Sequence, residues 1–162
     1  MKKTLLLGFL SCLTLVAVSQ NQPKPPMMAL STWNAYRAKI NEKLIRSQAD
    51  ALVEKGLADA GYKFLNIDDG FFAGRDEAGN IRIDNRKFPN GMKAIADYIH
   101  SKGLKAGMYG DAGPNTCASI WENPPEKGGI GAGFYNNEEK DMELFFKTWG
   151  FDYLNVDYCG SS

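Results

Sequence analysis

Four short apolar runs in this chain each stop on an acid or an aromatic residue, and helical patterns lie between them. Residues 27–32 end at Trp33-Asn34, residues 62–67 at Asp68-Asp69-Gly70, residues 104–109 at Gly110-Asp111, and residues 153–156 at Asp157-Tyr158-Cys159. Between the first and second, Ile45, Ala49, Leu52 and Val53 fall on one helical face behind Asn41, a plausible N-cap. Met92, Ile95, Ala96 and Ile99 repeat the pattern before Gly103, placed as a C-terminal glycine. Met142, Phe145, Phe146 and Trp149 do so again, after the acids Glu138 and Glu139 that suit a helix N-terminus. A polar loop with Gly74, Gly79 and Asn80 leaves room for a small hairpin around residues 81–83. The order is β-α-β-α-β-α-β at roughly forty residues per unit, which calls for a parallel sheet with right-handed crossovers. A doubly wound sheet and a barrel both satisfy it. No Gly-x-Gly-x-x-Gly follows any strand, which weakens the dinucleotide-binding version.

The first residues read as an address. Met1-Lys2-Lys3 precedes an apolar run over residues 5–18 that is short for a bilayer span, and Ala17-Val18-Ser19 offers small residues for cleavage. Residues 1–19 are therefore expected to be a secretory signal and 20–26 a Pro-containing linker, with 27–162 as the folded part. Cys12 offers a lipid anchor as the lesser alternative, poorly placed because cleavage there leaves an apolar stub. Removing Lys2 and Lys3 from 19 basic residues leaves 17 against 19 acidic ones, a net charge near −2. With no basic run, neither nucleic acid nor a membrane surface is an expected partner. Cys117 and Cys159 remain as an even pair in an exported chain, which points to a disulfide.

If the strand ends converge on one face, they bring together Trp33, Asp68, Asp69, Tyr109, Asp111 and Asp157. Carboxylates for hydroxyl groups and aromatics for the apolar face of a ring are what a sugar site uses. Each has a plainer reading: Asp157 as a structural acid, Asp68-Asp69-Gly70 as a turn, Trp33 as core packing. His100, the sole histidine, reads as a surface residue, which excludes a His-cluster metal site and a Ser-His-Asp triad. No cofactor or metal is expected.

Several stretches then resemble one family in its own order. They are Asn66-Ile67-Asp68-Asp69-Gly70, Phe88-Pro89-Asn90-Gly91-Met92, Ala96 to Lys105, Gly107-Met108-Tyr109-Gly110-Asp111 through Cys117, and Tyr153 to Cys159. Together they closely resemble the melibiase-type α-galactosidases, glycoside hydrolase family twenty-seven, from about Pro26 onward. The resemblance implies an α/β (β/α)8 barrel, of which about the first four units are present, and a retaining hydrolase of terminal α-galactosyl residues. It implies Asp157 as nucleophile, Asp68 and Asp69 as acceptors for sugar hydroxyls, and Trp33 and Tyr109 as pocket walls. Asn155 would be a further sugar contact, and Cys117–Cys159 the disulfide beside the nucleophile.

The chain departs from that pattern at Asn155, where the family carries lysine, at Phe71 for tryptophan, and at Met28-Ala29-Leu30 with Ser31-Thr32 before Trp33. These positions surround the pocket and leave the sugar open among galactose, N-acetylgalactosamine and arabinopyranose. A complete barrel takes about 250 residues, and the family's acid/base lies on a later strand. The expectation is an N-terminal half, inactive alone. The alternatives are a catalytically silent carbohydrate-binding remnant and a metal-dependent lyase using Asp68 and Asp69.

Overall fold

The computed structural model describes residues 26–159. The leader over 1–19, Cys12 with its lipid alternative, and residues 20–25 of the linker lie outside the described residues. In chain order the elements are β1 (Ala29–Ser31), α1 (Trp33–Tyr36), α2 (Glu42–Glu54), β2 (Phe64–Ile67), β3 (Phe72–Arg75), β4 (Ile81–Ile83), α3 (Gly91–Ser101), β5 (Lys105–Asp111), α4 (Ala118–Trp121), α5 (Glu138–Met142) and β6 (Tyr153–Asp157). Strands β1, β2, β5 and β6 form one parallel sheet in that order, and β3 with β4 is a separate antiparallel hairpin. Each strand pairs with the next in the alternation. A barrel wall needs that order, whereas a doubly wound sheet reverses its order at a switch point.

Period-two alternation sorts the sheet into two faces. The register Leu30↔Leu65↔Ala106 puts apolar residues on one face, joined by Ile67 and Met108. That face meets α2 through Ile45, Ala49 and Leu52, and α3 through Met92, Ile95, Ala96 and Ile99, all buried. Each such Leu or Ile contributes about 1.5–3 kcal/mol of burial. The other face carries Ser31↔Asn66↔Gly107↔Tyr153, and further along Tyr109↔Asn155 and Asp111↔Asp157. Gly107 has no room for a side chain: a Cβ there would sit 2.8 Å from Asn66 Oδ1 and 3.3 Å from the Tyr153 ring.

The helix ends follow their sequence signals. Asn41 Oδ1 accepts from Leu44 N at 2.9 Å, capping α2. Gly103, at φ +74°, takes the left-handed turn after α3 that a side chain resists, and Leu104 N reaches back to Ile99 O. Two expected core residues lie outside the core. Val53 is 41% exposed, because eight residues on from Ile45 it stands about 80° round the helix, at the margin of the apolar stripe. Phe146 is 39% exposed while Phe145 is buried. Helix α5 continues as π-helix over Glu143–Thr148, and its wider turns rotate Phe146 off the buried line.

Candidate active site

The C-terminal ends of the four parallel strands open on a cleft of about 470 Å³ lined by Trp33, Arg37, Asp68, Cys117, Trp121, Asp157 and Cys159. Trp33 follows β1 with only Thr32 between them, Asp68 follows β2 directly, and Asp157 is the last residue of β6. The strand-tip convergence expected of a barrel therefore holds for these three.

Asp68 forms part of the floor, 6% exposed. Its Oδ2 accepts from Ser31 Oγ at 2.8 Å, its Oδ1 from Asp69 N at 2.9 Å, and its own amide donates to Thr32 Oγ1 at 2.9 Å. Ser31 also accepts from Asn66 Nδ2 at 3.2 Å. Ser31 and Thr32, the two hydroxyl residues before Trp33, are thus what fixes Asp68.

Asp157 faces the open side of the cleft and is exposed. The Cys117–Cys159 disulfide, with Cα atoms 5.0 Å apart, ties the loop after β5 to the residues after β6. Cys117 Sγ packs 3.4 Å from Asp157 Oδ2; a disulfide sulfur has no proton, so this is a packing contact. Partial burial raises the Asp157 carboxyl above the ordinary carboxylate range, and the nearby charges of Asp68 and Asp111 add to the shift.

Tyr109 and Asp69 stand behind the cleft instead of lining it. Tyr109 is fully buried; its hydroxyl donates to Asp111 Oδ2 at 3.1 Å and accepts from Cys117 N at 3.0 Å. Burial, first of all, and then the neighbouring charges of Asp69 and Asp111 push its hydroxyl well above the usual tyrosine value. Asp69 is 1% exposed, with Oδ1 accepting from Gly70 N and Oδ2 from Ala118 N, both at 2.7 Å. Burial, aided by the charge of Asp68, raises its pKa to about 6. These bonds tie both residues to the backbone of the turns behind the cleft, Tyr109 to Cys117 N and Asp69 to Gly70 N and Ala118 N. Asn155 is half-buried on β6 beside Tyr109 and is absent from the cleft lining.

Asp111 is a further brace. Fully buried, it accepts from Gly113 N at 2.8 Å, Cys159 N at 3.0 Å and the Tyr109 hydroxyl. Asp111, Cys117 and Cys159 lie close enough to resemble a ligand set, but both sulfurs are bonded to each other and cannot serve as thiolates.

Sequence reasoning passed over Arg37 and Trp121. Arg37 lays its guanidinium 4.7 Å over the Trp33 ring and donates from Nε to Glu122 Oε1 at 2.9 Å. Trp121, in the loop region after β5, is 66% exposed. The Trp-Asn-Ala-Tyr-Arg run and the isolated Trp121 carried no periodic signal, and only the fold brings them to one rim.

An open cleft with two carboxylates on an aromatic-walled floor suits a polyhydroxylated ring. Residues 28–162 match the family described as alpha galactosidase A. The chain belongs to the melibiase-type α-galactosidase family. It is 42% identical to the α-galactosidase A of Cellvibrio japonicus over 98% of this chain and 38% of that protein. Its identity to the α-galactosidase of Coffea arabica is 45%, over 85% of this chain and 34% of that one. The Saccharomyces cerevisiae α-galactosidase solved with raffinose is 36% identical, with a TM-score of 0.73 over 83% of this chain and 27% of its own. The chain thus spans less than two-fifths of the length of these relatives. Its four-stranded parallel sheet has the fold of the (β/α)8 barrels of these family members.

Proposed function

We propose that this melibiase-family chain carries the nucleophile half of a retaining exo-glycosidase acting on terminal α-galactosyl residues, with Asp157 as the attacking carboxylate. The observation that carries this reading is the pairing of Asp157 with Asp68 across one open cleft at the C-terminal strand ends, where barrel enzymes keep their chemistry. Asp157 attacks the anomeric carbon while the glycosidic oxygen leaves with a proton from a general acid; water then cleaves the glycosyl ester and the sugar departs with net retention. Asp68 accepts a hydrogen bond from a hydroxyl of the sugar ring, and Trp33 covers its apolar face.

A retaining mechanism needs a second carboxyl group about 5 Å from the nucleophile. Asp111, with three donors on its oxygens, and Asp68, held by Ser31, are poor proton donors to a leaving group. The general acid is therefore assigned outside residues 26–159, and those residues alone are expected to turn substrate over far more slowly than the whole enzyme. The raffinose bound by the Saccharomyces cerevisiae relative supports an α-galactoside oligosaccharide as substrate, and the disulfide supports an oxidising, exported setting.

The test is azide rescue of Asp157→Gly in the protein as its gene encodes it. An activated aryl α-galactoside should be cleaved only when azide is added, giving the β-galactosyl azide by one displacement. Wild-type-like hydrolysis by the variant without azide refutes the assignment. Sugar binding with no hydrolysis by the wild-type protein favours the silent carbohydrate-binding alternative.

A further inference from the structure

The rim of the cleft is held more firmly than a surface turn requires. Trp121 closes α4 with its ring largely in solvent, yet the base of that turn is tied at four points. Ala118 N donates to Asp69 Oδ2 at 2.7 Å, and Cys117 N to the Tyr109 hydroxyl at 3.0 Å. Cys117 is joined to Cys159, and Glu122 accepts from Arg37. Two of these ties are the buried groups that the strand tips place behind the cleft. Holding a large apolar ring still in water brings no folding gain, whereas a rigid ring lowers the entropic cost of binding something flat.

Arg37 sits beside it in a backbone conformation rare for any residue but glycine, at φ +51°. That conformation turns its guanidinium over Trp33 and toward Glu122. Among the described residues only its Nε has an acceptor, which leaves the two Nη groups as donors at the mouth of the cleft. The floor, Asp68 and Cys117, is 6% exposed, and the rim is open. Floor and rim belong to one cleft whose volume exceeds the lower end of the range for drug-sized ligands, about 300 Å³.

We infer that Trp121 and Arg37 form the subsite for the sugar on the leaving-group side of the scissile bond. The ring face of Trp121 stacks on the C–H face of that second pyranose, and the Arg37 Nη groups donate to its hydroxyls. The cleft is then selective for α-galactosides whose leaving group is itself a sugar. This deepens the glycosidase reading of the same cleft and rests on it.

The experiment compares kcat/KM for raffinose with that for α-galactosyl fluoride, whose one-atom leaving group cannot reach the rim, in the protein as its gene encodes it. Trp121→Ala should lower the raffinose-to-fluoride ratio about 3- to 10-fold, the range of an aromatic stacking contact. Arg37→Lys, which keeps the charge and loses the fork, should lower it as well, and Trp121→Phe should restore most of it. An unchanged ratio in Trp121→Ala and Arg37→Lys, or equal loss on both substrates, overturns the inference. If the wild-type protein cleaves neither substrate, the glycosidase reading itself fails, which is a separate outcome. Trp121→Phe serves if the alanine variant does not fold: a ratio well below wild type there, with Arg37→Lys at the wild-type ratio, also overturns it.

Discussion

Arg75 and Asp141 are 66 residues apart in sequence, and the loops around the site depend on their contact. Arg75 ends β3 and is 12% exposed; Asp141, in α5, is 1% exposed. Arg75 Nη1 donates to Asp141 Oδ1 at 3.0 Å and Nη2 donates to Oδ2. The remaining donors reach the carbonyls of Gly79 at 2.9 Å, Gly131 at 3.0 Å and Gly133 at 2.9 Å. One guanidinium thereby joins the hairpin, the loop after β5 and α5. Asp141→Ala leaves a buried cation facing three carbonyls, and breaking a buried pair in this way costs about 3–5 kcal/mol. Differential scanning calorimetry and urea melts of the single variants and of Arg75→Met/Asp141→Ala complete the cycle. The double variant should cost well below the sum of the two singles, with a coupling of about 2 kcal/mol or more. A single-variant cost below about 1 kcal/mol, or additive singles, refutes the buried hub.

Other perturbations follow from the same geometry. Asp68→Asn removes a negative neighbour of Asp157, so the acid limb of the kcat/KM profile should move to lower pH, whatever happens to its height. Asp69 has a folded pKa of about 6 against 3.8 for the ordinary group. The folded state therefore holds the proton more tightly, and the stability this contributes is full below pH 3.8 and lost as pH rises through 6. Melts of wild type minus Asp69→Asn should fall by at most about 3 kcal/mol across that window and be flat above it. Gly107→Ala should cost about 1–3 kcal/mol by crowding Asn66 and Tyr153, read as a lower Tm. Cys159→Ser opens a loop of 42 residues and should cost about 4 kcal/mol on the chain-entropy estimate.

Much of this was legible in the sequence, for physical reasons. Period-two and period-3.6 patterns report which face an element buries, so the four strands, the faces of α2 and α3 and the hairpin could be read directly. The apolar runs stop where the sheet stops, which marked Trp33, Asp68 and Asp157, and two cysteines left one pairing. What escaped depends on contacts far apart in the chain. Nothing local distinguishes Asp69 from Asp68, yet alternation turns one toward the cleft floor and the other toward the Ala118 amide. Tyr109, a pocket wall on the family resemblance, carries no local sign that the loop with Cys117 bonds its hydroxyl. The π-helical turns that expose Phe146, and the Arg75–Asp141 pair, have no signature at short range.

The nucleophile can be identified most directly by trapping it. The protein as its gene encodes it would be incubated with a fluorinated galactosyl donor that forms the glycosyl-enzyme quickly and loses it slowly, digested, and analysed by mass spectrometry. One added fluorogalactosyl group on the peptide that contains Asp157, absent after treatment of Asp157→Asn, is the expected result. A stable adduct on any other carboxylate, with Asp157 unmodified, would contradict the assignment.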